Sequence, residues 1–240
     1  MTEDQNNKTD EKIEIIPTVM PESYEDFVEK IDRVAEFIET VQLDVMDGKF
    51  VPSTSWPYNS ESDQDWKNLV NQEKGIPHWE ELDFEVDLMV ENQIEEANNW
   101  ISAGVGRVIF HIEALKDEDY DEILKIRGLG IKVAFALVPK TPDSELEKYL
   151  EIAESVQFMG INKIGFQGQE FEPKVLERIA DLRSKKPDLP ISVDGGVSFN
   201  TARDLVSAGT TRLSSGSTIF KAENTKRAIE NLRKMANSLV

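Results

Sequence analysis

The stretch Val41-Gln42-Leu43-Asp44-Val45-Met46-Asp47-Gly48-Lys49-Phe50-Val51-Pro52 decides the fold of this chain. An apolar run ends in two carboxylates, a glycine turn and a proline, which predicts a buried strand over 40–46. Because alternate side chains of a strand share a direction, Gln42 and Asp44 point the same way, and Asp47 is assigned to the turn. A second stretch, Ile191-Ser192-Val193-Asp194-Gly195-Gly196-Val197, has the same design. We expect Asp44 and Asp194 to face each other across one pocket.

Strand-like apolar runs alternate with helical patterns eight times along the chain, without consecutive hairpins. Such alternation implies parallel strands, and eight repeats in about 230 residues match a (β/α)8 TIM barrel. We therefore predict a single-domain α/β TIM barrel over 13–240, with a doubly wound open sheet as the rival. The predicted elements include a strand over 107–113 and a helix over 143–155. The irregular segment 52–82 is expected to pack under a long loop or to form a lid or an interface.

The composition limits the class of protein. The 240 residues include 27 Lys and Arg against 46 Asp and Glu, a net charge of −19, which argues against binding nucleic acid or an anionic membrane. Without cysteine, disulfides and thiol catalysis are excluded. No apolar run reaches the ~18 residues of a membrane span. The polar start over 1–12 lacks the apolar core of a signal peptide, so we expect a disordered tail and a cytoplasmic location.

Polar side chains end several of the predicted strands. In a barrel of this kind, side chains at the carboxyl ends of the strands converge on the catalytic mouth. The residues at these positions are Thr18, Gln42, Asp44, Asp87, His111, Glu113 and Asp194. One such aspartate alone is commonly a helix cap or turn former. Asp44 and Asp194 together favour a functional pair, because each is the only acid that ends a strongly apolar strand.

Glycine-rich turns follow the last three predicted strands. They are Gly165-Phe166-Gln167-Gly168 after the sixth strand, Gly195-Gly196 after the seventh, and Ser215-Gly216-Ser217 after the eighth. The loops after strands seven and eight form the usual phosphate site of this fold, where backbone N–H groups approach the oxyanion. We predict a phosphate site here, and ordinary tight turns are the alternative.

These motifs resemble those of the ribulose-phosphate 3-epimerase family. The matching segments lie in order over nearly the whole chain, at 43–52, 87–92, 110–114, 165–171, 193–197 and 215–217. The resemblance implies interconversion of D-ribulose 5-phosphate and D-xylulose 5-phosphate at carbon 3, with Asp44 and Asp194 as the two bases and a divalent metal between them. By analogy with the family, we also expect a homo-oligomer.

The resemblance also implies a set of contacts to a small sugar-phosphate substrate. Thr18 and Asp87 would contact the sugar, and the loop after strand six would cover it. The phosphate would lie against the turns after strands seven and eight. The substrate-binding residues implied in this way are Thr18, Asp87, Gly165, Phe166, Gln167, Gly168, Gly195, Gly196, Gly216 and Ser217.

The chain departs from the family pattern at the metal site. The family uses two histidines beside its two aspartates, and here those positions hold Gln42 and Asp87. A metal held by Gln42, Asp44, Asp87 and Asp194 would have only oxygen ligands, which suit Mg²⁺ or Mn²⁺ better than Zn²⁺.

Two alternatives to a metal site stay open. Without a metal, at least one of the converging carboxylates should hold a proton at neutral pH. Otherwise the site is retuned to another phosphorylated ligand, with a cation supplied by that ligand or by Lys49 or Lys163. The alternative function is therefore a divergent relative that binds or converts another sugar phosphate without the family's metal site.

Overall fold

The computed structural model describes residues 13–60, 63–166 and 168–238. Eight parallel strands follow one another in sequence order and close into a barrel, which confirms the predicted fold class. The predicted tail over 1–12 lies outside the described residues. The strands are β1 (Glu14–Val19), β2 (Thr40–Met46), β3 (Asp83–Met89), β4 (Arg107–His111), β5 (Lys132–Leu137), β6 (Ser155–Met159), β7 (Ile191–Asp194) and β8 (Arg212–Ser215).

Helices connect the strands around the outside of the barrel. They are α1 (Tyr24–Asp32), α2 (Gln64–Val70), α3 (Gln93–Ala103), α4 (Asp119–Gly128), α5 (Val175–Lys185), α6 (Ala202–Ala208), α7 (Ser217–Phe220) and α8 (Thr225–Ala236). Within the described residues, 3₁₀ helices cover Ala35–Phe37, Ile112–Ala114 and Asp143–Tyr149. In the described part of the chain, no helix has the length and apolar character needed to cross a membrane.

Strand β2 illustrates how the sequence positions the site. Its residues Val41, Leu43 and Val45 belong to the apolar layer between barrel and helices. The alternate residues Gln42 and Asp44 are also buried, but they face the polar interior of the barrel. A parallel strand covered on both faces is buried throughout, so the polar residues on its inner face need partners inside the barrel.

The strand register sets the height of the inward side chains. Asp44 of β2 is directly paired with Asp87 of β3, and Asp194 of β7 is paired with Ser214 of β8. Because all these strands run in the same direction, their inward side chains gather at the carboxyl end of the barrel. At the opposite end, Glu85 Oε2 accepts from Arg107 at 2.8 Å and from Arg212 at 2.6 Å.

Two predicted elements were wrong in extent or type. The predicted strand over 107–113 ends at His111, and residues 112–114 form a 3₁₀ turn. The Glu113 carboxylate accepts hydrogen bonds from Val138 N and Thr141 Oγ1. These two donors lie in the loop after β5. Glu113 therefore lies in the turn beyond β4, although its Oε2 remains 3.7 Å from His111 Nδ1.

The predicted helix over 143–155 is a 3₁₀ helix over Asp143–Tyr149. Its buried residues, Leu146 and Tyr149, are three positions apart, which is the repeat of a 3₁₀ helix. The next strand begins at Ser155. A helix as long as predicted would leave no residues for the connection to that strand.

The segment over 52–82 packs against the barrel through aromatic rings. Trp56 is 1% exposed, and its ring stacks on Phe27 of α1 at a centroid distance of 5.8 Å. It also contacts Trp100 of α3 edge-on at 6.2 Å. Trp79 in the same segment is 66% exposed. The first part of the segment is therefore a structural plug between α1 and α3.

Candidate active site

Three aspartates converge inside the carboxyl end of the barrel. Asp44 ends the polar face of β2, Asp87 lies beside it on β3, and Asp194 is the last residue of β7. All three side chains are buried. One carboxylate oxygen of each lies within 4.8 Å of the others. The expected meeting of Asp44 and Asp194 therefore occurs in the structure, with Asp87 as a third member.

A hydrogen-bonded amide orients Asp44. Gln42 Nε2 donates to Asp44 Oδ1 at 2.9 Å, and Gln42 Oε1 accepts from the Ser214 hydroxyl at 3.0 Å. The side-chain oxygen that the sequence suggested as a metal ligand is thus bonded to β8, while the nitrogen faces the carboxylate. In this arrangement Gln42 positions Asp44.

Two donors from other strands hold Asp87. His111 Nε2 of β4 lies 2.9 Å from Asp87 Oδ1, and Gln157 Nε2 of β6 donates to Asp87 Oδ2 at 3.1 Å. Sequence reasoning included His111 among the strand-end residues without a role, and it missed Gln157. The available signal was a glutamine flanked by the apolar residues Val156, Phe158 and Met159 in the strand Ser155–Met159.

Burial and mutual repulsion keep protons on the carboxyl pair. Burial raises the pKa of Asp44 well above its usual range, and the charges of Asp194 and Asp87 add to the effect. Burial, followed by the charge of Asp87, raises the pKa of Asp194 to about 7. Like charges in a shared, poorly solvated site cannot all ionise readily. One member of the pair is therefore protonated at neutral pH.

A histidine beneath the pair carries a positive charge. Burial lowers the pKa of His111, but the charge and hydrogen bond of Asp87 and the contact with Glu113 outweigh it and raise the pKa to about 10. The His111 and Asp87 side chains are both fully buried. His111 is thus an imidazolium at neutral pH, and it partly balances the negative charge of the aspartates.

Asp44 and Asp194 open into a pocket at the barrel mouth. Its wall contains most of the predicted substrate-binding residues, namely Thr18, Gly165, Phe166, Gly168, Gly195, Gly196, Gly216 and Ser217. The structure does not bring Asp87 to this wall, because its side chain is fully buried below. Gln167 lies outside the described residues. Met20, Met89 and Met159, which sequence reasoning did not assign to the site, also line the pocket.

The turn after β7 requires glycine at two successive positions. Gly195 and Gly196 have φ values of +88° and +71°. A Cβ on Gly195 would lie 2.7 Å from the Ile161 side chain, and one on Gly196 would lie 2.8 Å from the Phe171 ring. Only glycine meets both demands. The turn therefore brings bare backbone to the pocket, next to the start of α7.

Comparison with known proteins agrees with this geometry. Residues 14–220 match the model of the ribulose-phosphate 3 epimerase family. The chain is 32% identical over 229 residues to the ribulose-phosphate 3-epimerase of Methanocaldococcus jannaschii, with 93% of this chain and 91% of that protein covered. It is 29% identical over 229 residues to the cytoplasmic isoform of ribulose-phosphate 3-epimerase from Oryza sativa subsp. japonica, with 92% of each covered.

Solved structures with lower sequence identity share the fold. A 3-hexulose-6-phosphate synthase structure superposes with a TM-score of 0.67 at 18% identity, covering 93% of this chain and 99% of that one. Orotidine 5′-phosphate decarboxylase from Pyrococcus horikoshii OT3 gives a TM-score of 0.64 at 18% identity, with the same coverage. These similarities support the barrel, and the family match with its curated relatives supports more: the chain belongs to the ribulose-phosphate 3-epimerase family of carbohydrate epimerases.

Proposed function

We propose that this enzyme interconverts D-ribulose 5-phosphate and D-xylulose 5-phosphate, with Asp44 and Asp194 as its two bases. The observation that carries the proposal is the pair of buried carboxyl groups on β2 and β7, which line one pocket. Inversion at carbon 3 requires a proton to leave on one face and return on the other. Two acids from different sides of one barrel mouth can perform both steps.

The protonation states of the pair suit this reaction. A two-base epimerase needs one charged carboxylate and one carboxylic acid at the start of each turnover. Raised pKa values at Asp44 and Asp194 support such a shared proton. Gln42 donates to Asp44 Oδ1, so Oδ2 is the oxygen that holds the proton and delivers it. The roles of the two residues reverse for the opposite direction.

The three aspartates fit a divalent cation. Their oxygens lie within 4.8 Å of one another, and their mutual repulsion would be relieved by a positive ion. Because Gln42 Oε1 is bonded to Ser214, the proposed ligands are Asp44, Asp87 and Asp194, with Gln42 holding Asp44 in place. An all-oxygen set favours Mg²⁺ or Mn²⁺ over Zn²⁺. When bound, the ion would supply positive charge against the negative charge that develops on the substrate oxygens.

The mouth of the pocket supports binding of the substrate phosphate. Backbone from the turn at 195–196 and the first residues of α7 lines the pocket. The first N–H groups of a helix have no acceptor within the helix, which makes them donors for an oxyanion. Phe166, which is 44% exposed, lies on the same wall. In the proposed complex its ring covers the sugar and excludes water.

A second candidate function rests on the residues that replace the family's histidines. Gln42 and Asp87 occupy those positions, and the imidazolium of His111 already supplies a positive charge next to the aspartates. A site with its own cation is suited to a related sugar phosphate that is converted without metal. This candidate requires turnover or binding that is unchanged by chelators.

Turnover measurements on matched variants separate the two candidates. The protein is stripped with EDTA, dialysed, and assayed for conversion of ribulose 5-phosphate with and without Mn²⁺ or Mg²⁺. We expect activation by either ion, and a loss of about 10²–10⁴-fold in kcat for Asp44→Asn and Asp194→Asn, the range for removal of a general acid or base.

The control variant is Asp83→Asn, which removes an exposed carboxylate at the other end of β3 and should leave kcat unchanged. Absence of turnover with every divalent ion would overturn the epimerase assignment. Equal turnover in EDTA and in Mn²⁺ would support the candidate without metal.

A further inference from the structure

A hydrogen-bond network surrounds Asp87, and its two partners, His111 and Gln157, have no part in the proposed proton transfer. Asp87 is fully buried, and each of its oxygens has one partner on a different strand. Oδ1 lies 2.9 Å from His111 Nε2 of β4, and Oδ2 lies 3.1 Å from Gln157 Nε2 of β6. Two contacts from separate directions fix both the position and the plane of the carboxylate.

The first partner, His111, is itself rigidly held. Gln93 of α3 accepts from His111 N at 2.7 Å and donates to His111 O at 2.8 Å. The His111 ring packs against Phe50 at a centroid distance of 5.3 Å, and Nδ1 lies 3.7 Å from Glu113 Oε2. The imidazole therefore has little freedom to leave Asp87.

The second partner, Gln157, costs stability where it stands. Its side chain is buried, and its Oε1 has no hydrogen-bond partner among the described residues. A buried carbonyl oxygen without a hydrogen-bond partner lowers stability, because it has lost its bond to water. An apolar side chain of similar size would fill this space without that cost. What the amide adds is the N–H that it donates to Asp87.

The contacts leave Asp87 free to act as a ligand. Each carboxylate oxygen has two lone-pair directions, and one on each oxygen is used by His111 or Gln157. The remaining directions are set by the fixed plane. One Asp87 oxygen lies within 4.8 Å of oxygens of Asp44 and Asp194, so the free lone pairs are within reach of an ion that the other two aspartates hold.

We propose that Gln157 and His111 are positioning residues that hold Asp87 as the third oxygen ligand of a hard divalent cation. The inference rests on the metal-dependent form of the proposed function. It concerns the residues that hold a metal ligand in place, not the ligands themselves. Partners of this kind commonly change metal affinity by 10–100-fold when they are removed. We therefore expect Gln157→Leu to raise the Kd for Mn²⁺ by that factor while Asp44, Asp87 and Asp194 stay in place.

The test is Mn²⁺ binding to the EDTA-stripped, substrate-free protein, followed by electron paramagnetic resonance of the free ion. A matched control is Phe158→Leu, which alters the neighbouring residue of β6. Phe158 belongs to the apolar layer outside the barrel interior, so its change weakens the core without touching Asp87. Thermal unfolding shows which variants are folded. We expect Phe158→Leu to keep the wild-type Kd and Gln157→Leu to lose affinity.

A second pair of variants addresses His111. Glutamine carries an Nε2 donor at a reach similar to that of histidine, whereas leucine carries none. We expect His111→Gln to bind Mn²⁺ at least tenfold more tightly than His111→Leu. This pair decides the matter if Gln157→Leu fails to fold.

The outcomes separate the inference from the function on which it rests. Folded Gln157→Leu with a wild-type Kd, or equal affinity of the two His111 variants, would overturn the positioning role while the metal site stands. A wild-type protein that binds no Mn²⁺ at millimolar concentration would overturn the metal site and this inference together. The turnover assay in EDTA would then show whether the reaction proceeds without metal.

Discussion

At the scale of single residues, the site is a group of acids that burial keeps partly protonated. Asp44 and Asp194 were predicted to meet because each ends an apolar strand, and the barrel brings them together. Their polar supports were less accessible to sequence reasoning. Ser214 and Gln42 are hydrogen-bonded although they are 172 residues apart in the sequence. Gln157 and Asp87 are 70 residues apart. Such contacts depend on the stagger of strands around the barrel, which no local pattern encodes.

Removing one acid should stabilise the metal-free protein while it destroys activity. At pH 8 the Asp194 carboxyl is ionised although burial and Asp87 raise its pKa to about 7. Asp194→Asn removes that charge and keeps the shape of the side chain. In EDTA we expect its Tm to rise by at least about 2–4 °C, the shift that corresponds to about 1 kcal/mol in a domain of this size. Differential scanning calorimetry checks this.

The control for this experiment is Asp83→Asn, an exposed site at which stability should change by less than about 0.5 kcal/mol. If Asp194→Asn has a lower Tm than the wild type at pH 8, the buried charge of Asp194 does not destabilise the folded protein.

The amide of Gln42 needs its own support. Ser214→Ala removes the donor to Gln42 Oε1 and leaves the amide free to turn its nitrogen away from Asp44. In the proposed reaction Asp44 delivers its proton from a fixed orientation, so we expect kcat to fall by about tenfold while KM changes little. Steady-state kinetics on ribulose 5-phosphate measure both constants. A raised KM with an unchanged kcat would assign Ser214 to substrate binding instead.

At the scale of elements, the long regular helices and strands could be predicted from the sequence, whereas short helices and 3₁₀ helices could not. The strand-helix alternation is readable because each long element carries its own hydrophobic period. Helix α7 has four residues, too few for a period to show. The 3₁₀ helix over Asp143–Tyr149 was predicted as an α-helix, since Leu146 and Leu150 also fit a spacing of four.

The glycine turn after β7 should control phosphate binding. Gly196 has φ +71°, and a Cβ there would lie 2.8 Å from Phe171. We expect Gly196→Ala to raise KM for the phosphorylated substrate by at least tenfold, because the backbone must move away from the pocket. Gly130→Ala is the matched control, since Gly130 has φ +87° with nothing within 4 Å of its added Cβ. Gly130→Ala introduces the same backbone strain as Gly196→Ala but no steric clash, so it should lower Tm and leave KM unchanged. Equal KM values for both variants would contradict a phosphate role.

The segment over 52–82 should matter for stability through Trp56. Truncation of a large buried aromatic side chain typically costs about 3–5 kcal/mol. We expect that loss for Trp56→Ala, because its ring lies between Phe27 and Trp100. Urea unfolding provides the free energy. Trp79→Ala is the control in the same segment, where 66% exposure predicts a change below about 0.5 kcal/mol. A similar small loss at both positions would mean that the segment does not pack as a plug.

At the scale of the whole molecule, stability should depend on pH in the direction set by buried acids. Burial raises the pKa of Asp194 and of Glu85 to about 7 each. A raised pKa means that the folded state binds the proton more tightly than the unfolded state does. The stability from this source is complete below about pH 4 and is lost as pH rises through 7.

We therefore expect the Tm of the EDTA-treated protein to fall between pH 5 and pH 8. Mn²⁺ should reduce the slope, because a bound cation favours the ionised form of the aspartates. Calorimetry across this pH range with and without the ion checks both statements. A metal-free Tm that rises with pH over this range would contradict the assignment of protonated acids inside the barrel.

The proposed binding of a phosphorylated sugar has to overcome the acidic charge of the whole chain. With a net charge of −19, its general field repels anions. The proposed binding therefore depends on local groups, namely backbone N–H groups at the barrel mouth, a cation held by the aspartates, and the charge of His111 buried below them. The barrel and the acid pair could be predicted from the sequence. The positive charge of His111 beside Asp87 could not, because that contact depends on the three-dimensional arrangement of the strands.

The most direct test of the two-base reaction is conversion of ribulose 5-phosphate in D₂O with Mn²⁺ present, followed by nuclear magnetic resonance of carbon 3. Because one carboxyl group removes the proton and the other returns a solvent-derived one, we expect xylulose 5-phosphate that carries deuterium at carbon 3 from the first turnovers onward. Asp44→Asn and Asp194→Asn should form this product at least about 10²-fold more slowly than the wild type. Xylulose 5-phosphate that retains protium at carbon 3, or deuterated product from both variants at the wild-type rate, would contradict proton transfer by Asp44 and Asp194.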